Sequence, residues 1–235
     1  MYGKKDCRRS IYIISVLANL TAPVSGHGYI AGPPARRAGP VTSSVCGPLV
    51  AADILRDNTS HVEGLPELAA RDPSYNSSAC DLWLCRGIQL EPEFTNTTHS
   101  NNGTNGTNGA GYGGDVQHYK SGEAVRVQIH LTIPHSGTAN VSIVDTATNT
   151  VVPGGGLLAY WERGYANEKD YYGMRLPLNQ TDFEITMPEL GGRCERQGEC
   201  VLQWWWFAKA ARQTYESCVD FVMLPAWVNV DSIIA

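Results

Sequence analysis

The sequence predicts an all-β domain of the β-sandwich class. Three observations carry this: strict period-two alternation over Ala124 to Ile133, further short runs rich in β-branched and aromatic residues, and Gly/Pro/Asn turns between them. In the first run Val125, Val127, Ile129, Leu131 and Ile133 share one face, and Arg126, Gln128, His130 and Thr132 share the other. That is the pattern of a half-buried strand. Val141 to Val144 reads as the next strand, reached through Pro134-His135-Ser136-Gly137. Phe183 to Met187, Cys200 to Phe207 and Gln213 to Met223 read as the others. Of Trp204, Trp205 and Trp206, alternate rings face opposite sides of the strand, so two of the three fill the core. A short helix is expected within Val50 to Ala70, and there is no internal repeat. The Asn/Gly/Thr-rich segment Thr95 to Gly114 has too little apolar surface to fold alone and reads as a flexible surface loop.

Residues 1–26 read as a secretory signal peptide. Lys4, Lys5, Arg8 and Arg9 precede an apolar run from Ile11 to Ala18, and the small residues Val24, Ser25 and Gly26 suit cleavage before His27. The apolar run is too short to span a bilayer, so a soluble, extracellular product is expected and no membrane partner. The expected organisation is a signal peptide at 1–26, one domain at 27–223 and a tail at 224–235 that lacks the Ser/Thr-rich linker of an appended binding module.

Cleavage before His27 leaves 14 basic and 22 acidic residues, a net charge of −8. A nucleic-acid partner demands a basic footprint and is excluded; a neutral polymer such as a polysaccharide is compatible. Cys7 leaves with the signal, and six cysteines remain. An even count in a secreted chain points to disulfides. Spacing favours Cys80–Cys85 and Cys194–Cys200 as local clips and Cys46–Cys218 as a long-range staple, among fifteen possible connectivities. Asn58, Asn76, Asn96, Asn102, Asn105, Asn140 and Asn179 each open a glycosylation sequon. Asn140 opens a strand pattern and is the least suited of them to modification.

The chemistry begins at the new terminus. An N-terminal His27 offers its α-amino group and its ring Nδ1 at one place, and together they can close a chelate ring on a metal. The α-amino pKa lies near about 7.7–8.0, so the amine loses its proton to a metal at mild pH. A second histidine would complete a planar set of three nitrogens, which suits Cu(II) better than tetrahedral Zn(II). Five histidines remain. His99 lies in the low-complexity loop, His61 in a polar sequon-bearing stretch, and His130 on the polar face of the alternating strand, where solvent exposure is the simpler reading. His118, just before that strand, stays a candidate. His135 follows a proline in a tight turn at a strand end, a stiff placement of the kind that binding residues favour.

Four segments carry a family resemblance: His27-Gly28-Tyr29; Ile133-Pro134-His135-Ser136-Gly137-Thr138-Ala139-Asn140-Val141-Ser142-Ile143-Val144-Asp145-Thr146; Cys200-Val201-Leu202-Gln203-Trp204-Trp205-Trp206; and Gln213-Thr214-Tyr215-Glu216-Ser217-Cys218-Val219-Asp220-Phe221. Together they resemble auxiliary activity family sixteen, fungal lytic polysaccharide monooxygenases, over His27 to about Val222. The resemblance implies an immunoglobulin-like or fibronectin III-like β-sandwich with long loops and short helical insertions. It implies one copper ion cycling between Cu(II) and Cu(I) in a histidine brace, with hydrogen peroxide or oxygen as co-substrate and an external electron donor. Cellulose or a related β-1,4-glucan is the implied substrate of oxidative cleavage, by a secreted monomer. Residue by residue, His27 and His135 match the brace, Tyr215 the axial tyrosine and Gln213 the glutamine of the Gln-X-Tyr element. Related cellulose-active families often carry a histidine nine residues before that glutamine; Trp204 stands there instead, leaving Gln203 and Gln213 as candidates for its hydrogen-bonding role.

Other residues carry weaker readings. Trp161, Tyr165, Tyr171 and Tyr172 cluster in a loop-like stretch, suited either to stacking on sugar rings or to plain loop packing. Glu195 and Glu199 read as a solvated turn, since no carboxylate pair stands out as a glycosidase would require. A competing function is a secreted, cell-wall-associated copper-binding protein of the same fold without polysaccharide oxidation. A third is a structural sandwich in which His27 is incidental.

Overall fold

The computed structural model describes residues 27–91, 116–172 and 177–225. The expected signal peptide, the Thr95 to Gly114 loop with His99, and nearly all of the tail lie outside them. Within them the chain is a mostly-β sandwich with a few short helices. No helix of the described residues is long and apolar enough to cross a membrane.

The chain opens on strand β1 (His27–Gly32) and runs through helices α1 (Pro40–Cys46), α2 (Pro48–Arg56) and α3 (Leu65–Ala70). Pro40 and Pro48 sit in the first turns of their helices, where a missing N–H costs nothing. Then follow β2 (Gln117–Tyr119), β3 (Ala124–Ile133), β4 (Gly137–Asp145), β5 (Thr150–Val151) and β6 (Leu157–Tyr165). Helices α4 (Glu168–Tyr172) and α5 (Leu178–Thr181) lead to β7 (Asp182–Thr186), β8 (Cys200–Ala208) and β9 (Gln213–Met223). One sheet has the order β1-β3-β7; the other has β2-β9-β8-β4-β5, with β6 also paired to β4.

The alternation in β3 is realised: Val125, Val127, Ile129 and Leu131 are buried and the intervening residues are exposed. They meet Val141, Ile143, Leu202, Trp204, Trp206, Tyr215 and Val219 from the larger sheet, which together form the main core. Trp204 and Trp206 fill that core while Trp205 faces the opposite side, as pleating requires.

The helical layer has its own smaller core, built on Val50, Ile54, Val62 and Leu65. The Cys85–Gly87 turn that follows it packs against β9. Arg36 holds the buried Asp220 through two hydrogen bonds of 2.7 and 2.8 Å, and Arg86 N–H donates to Glu216 Oε2 at 3.0 Å.

Two of the disulfides expected from spacing are replaced. The bonds are Cys46–Cys80, Cys85–Cys218 and Cys194–Cys200. Cys85 and Arg86 take left-handed backbone conformations (φ 55° and 58°). Cys80 packs in the helical core with Cys46, and Cys85 packs against the sheet with Cys218, so two cysteines close in sequence face different partners. The stretch holding Trp161 and Tyr165 is strand β6, not a loop. Tyr165 is fully buried, accepting from Trp204 Nε1 and donating to the Gln180 carbonyl, both at 3.0 Å, so it is core. The side chains of Tyr171 and Tyr172 lie outside the described residues.

Candidate metal centre

Strand pairing gathers the predicted residues at one end of the sandwich. His27, first residue of β1, pairs with Ile133, last residue of β3. Pro134, His135 and Ser136 then turn the chain into β4, whose first residue Gly137 lies in register with Ala208, itself paired with Gln213. Tyr215 stands one pleat further in, against Trp206 and Ala139. His27, His135, Gln213 and Tyr215 thus share one rim.

A glycine follows each histidine closely, for a steric reason. A Cβ at Gly28 would lie 2.7 Å from Leu131 and 3.0 Å from the Trp204 ring. A Cβ at Gly137 would lie 2.0 Å from the Phe207 carbonyl oxygen. Only a residue without a side chain lets β1 lie this close to Leu131 and Trp204, and β4 this close to β8.

His135 is oriented by Glu168. The carboxylate Oε1 is 3.2 Å from Nδ1 and also accepts from Ser136 N–H at 3.1 Å, while Oε2 accepts from the Ser136 hydroxyl at 2.7 Å. Burial works to raise the Glu168 pKa, but the Ser136 hydroxyl and amide and the His135 ring prevail and hold it down at about 2. An ionised carboxylate on Nδ1 fixes the proton there and leaves a lone pair on Nε2. That Nε2 is buried and has no hydrogen-bond partner among the described residues. A buried imidazole nitrogen left bare in this way carries a desolvation cost that a metal ion would remove.

His27 is held at its far nitrogen. Its Nε2 lies 3.0 Å from Asp57 Oδ2. Burial raises the Asp57 pKa, but the Thr59 hydroxyl and amide and the His27 ring outweigh it and bring it below the ordinary carboxylate value. A metal sharing the α-amino group would meet this ring at Nδ1. Beneath Asp57 lies Arg86, whose guanidinium is 1% exposed as part of the residue and donates to the carbonyls of Asn58 (2.9 Å) and Asp57 (3.3 Å). Burial lowers its pKa to about 10.

Tyr215 is fully buried, stacks on Trp206 with ring centroids 4.5 Å apart, and donates to Gln213 Oε1 at 2.7 Å. His61 meets the Tyr215 ring edge-on at 6.3 Å. Glu63 accepts from Thr214 N–H and lies 3.2 Å from His61 Nδ1, anchoring His61 beside β9.

The remaining candidates separate cleanly. His118 pairs with Val222 at the opposite end of β9, about 30 Å of strand from Gln213. His130 is exposed and lies against Tyr29. Gln203 faces the outer side of the large sheet, about 16 Å along β8 from Ala208. Trp204 is core, so no polar group stands at its position on the rim. Glu168, Asp57 and His61 were not singled out by sequence: each lies tens of residues from the partner it meets, and no motif announces them. Among the described residues no three His, Cys, Asp or Glu side chains gather as a metal site.

The fold and this rim define a class: an all-β, immunoglobulin-like sandwich with a polar, histidine-bearing end. The family follows from comparison. The model of the family described as "Lytic polysaccharide mono-oxygenase, cellulose-degrading" matches residues 27–221, and the chain belongs to that family. Among solved structures it is similar to the catalytic domain of the lytic polysaccharide monooxygenase Lmo2467 from Listeria monocytogenes. The identity is 19% over 46% of this chain and 59% of that one, with a TM-score of 0.28. The match thus spans less than two thirds of that domain's length, and the likeness is too slight to bear on fold or function. No curated protein matches the chain.

Proposed function

We propose that this chain, cleaved before His27, is a secreted monooxygenase of the kind found in auxiliary activity family sixteen, acting on cellulose or a related β-1,4-glucan. In this reading the α-amino group and Nδ1 of His27 and Nε2 of His135 would hold one copper ion, with the Tyr215 side chain beside them. The observation that carries it is His135: its Nδ1 is committed to an ionised Glu168, while its Nε2 is buried without a partner among the described residues, on the rim where β1 begins. Even pairing of cysteines into three disulfides supports export to an oxidising compartment.

When bound, copper supplies one-electron redox chemistry, drawing electrons from an external donor and activating hydrogen peroxide or oxygen toward a glycosidic carbon. The protein's own work is placement. Glu168 holds the His135 ring and its tautomer; Asp57 does the same for His27. Gln213 fixes the Tyr215 hydroxyl, and Trp206 packs against its ring, keeping this side of the site dry. His61, anchored by Glu63 and edge-on to the Tyr215 ring, is our candidate for the hydrogen-bonding role beside Gln213, since Gln203 faces the outer groove of the large sheet.

The test is electron paramagnetic resonance on two copper-loaded forms, one beginning at His27 and one retaining Gly26. The expected result is an axial spectrum with nitrogen couplings that the one extra residue alters sharply. Identical spectra would sink the proposal. Absence of oxidised oligosaccharides from cellulose with reductant and correctly processed protein would instead favour copper binding without polysaccharide oxidation.

A further inference from the structure

Asn140 lies mid-strand in β4, on the outer face of the large sheet, with Tyr160 of β6 on one side and Trp205 of β8 on the other. It begins the sequon Asn140-Val141-Ser142. Because side chains two apart on a strand share a face, Ser142 reaches back, and its hydroxyl donates to Asn140 Oδ1 at 2.7 Å. That contact settles which end of the amide is occupied. Nδ2, the atom a glycan would take, has no hydrogen bond among the described residues.

The surroundings are unusually apolar for an outer face. Seven large hydrophobic side chains stand exposed among the described residues, and four lie around Asn140: Trp83, Val151, Leu157 and Tyr160, each 45% exposed or more. Leu157 pairs beside Ser142, and Tyr160 pairs with Asn140 itself. Trp83 and Val151 form, with Trp205 and Gln203, the walls of an open groove of about 250 Å³ that Asn140 also lines. A bare patch of this kind invites association or needs a cover. The indole planes and side-chain amides at hand suit a pyranose ring, with apolar ring faces and polar edges.

We infer that Asn140 carries an N-linked glycan whose first N-acetylglucosamine residues lie in the Trp83/Trp205 groove. In the secretory pathway Nδ2 bonds to the anomeric carbon of a lipid-linked diphospho-oligosaccharide. The carbon–oxygen bond to the diphosphate breaks, the lipid diphosphate leaves, and the nitrogen's proton passes to solvent. The reaction meets an unfolded chain, so the strand position that counts against Asn140 in the sequence is no barrier. After folding, the same position seats the sugar over the exposed aromatics. The inference does not depend on copper or on the substrate.

The experiment uses full-length protein secreted from a fungal host. Release with peptide N-glycosidase in ¹⁸O water should leave ¹⁸O-labelled aspartate at position 140. An unlabelled Asn140 in secreted, active protein overturns the proposal. Seating is read separately, from the rate at which the enzyme releases this glycan from native protein. Trp83→Ala should speed release by up to about tenfold, the worth of one lost aromatic contact. An unchanged rate overturns the seating.

Discussion

Glu168 Oε1 lies 3.2 Å from His135 Nδ1, and the opposite nitrogen of the same ring is buried without a partner among the described residues. The pair forms a carboxylate–imidazole unit aimed at the rim. Such a carboxylate sets ring orientation and tautomer, and its loss typically lowers metal affinity about 10- to 100-fold. Glu168→Gln should therefore weaken Cu(II) binding by about that factor, measured by calorimetry, with thermal unfolding little changed because the side chain is partly solvated. Full affinity in Glu168→Gln would show that His135 needs no orienting partner.

Asp57 plays the matching part for His27, and Arg86 supports Asp57 from below. Asp57→Ala should convert the neutral His27 ring of metal-free protein from one tautomer to a mixture, visible in long-range ¹H–¹⁵N spectra. Arg86→Met leaves the carbonyls of Asp57 and Asn58 without their donor. The expected cost is about 1–3 kcal/mol in urea unfolding, together with weaker copper binding. Lost stability with unchanged affinity would reduce Arg86 to a folding residue.

The fold was legible where burial repeats with the backbone period. β3 alternates, β9 runs as expected from Gln213 to Met223, and the three adjacent tryptophans divide as pleating demands. β1 was missed because Gly28 and Gly32 interrupt its pattern, and β6 because exposed Glu162 and Arg163 obscure its strand character. Helices appeared where expected, in two pieces within Val50 to Ala70 with α2 beginning at Pro48, while α1 went unread. Of the rim, His27, His135, Gln213 and Tyr215 were readable because they lie in ordered motifs. Glu168 and Asp57 were not, and His61 was set aside as part of a polar stretch, because their contacts with His135, His27 and Tyr215 exist only once distant segments meet. The cysteines failed similarly: spacing measures chain length, whereas pairing follows which part of the fold each sulfur faces.

The corrected pairing has measurable consequences. Cys85–Cys218 closes 133 residues and Cys194–Cys200 only 6. Loop-closure entropy assigns about 5 kcal/mol to the first and about 2 kcal/mol to the second. The double variant Cys85→Ser/Cys218→Ser should thus lower the thermal midpoint well beyond Cys194→Ser/Cys200→Ser. Non-reducing peptide maps should also show Cys46 joined to Cys80; a Cys80–Cys85 peptide would refute this pairing.

Asp72 gives a pH dependence of stability outside the histidine rim. Its carboxylate accepts from Leu49 N–H at 3.0 Å, in the first turn of α2, and from the Ser74 hydroxyl and amide. The Leu49 amide and the Ser74 hydroxyl lower its pKa below the ordinary 3.8, overcoming the opposing effect of burial. A depressed folded pKa means that the folded state binds its proton less readily than the unfolded chain. The stabilisation is therefore complete above 3.8 and is lost as pH falls through the lower folded value. Asp72→Asn removes the titrating group, so its thermal midpoint should start lower at neutral pH and decline less steeply on acidification than that of the parent. Parallel curves for the two proteins between pH about 5 and about 2 would show that Asp72 contributes no linkage to the acid limb.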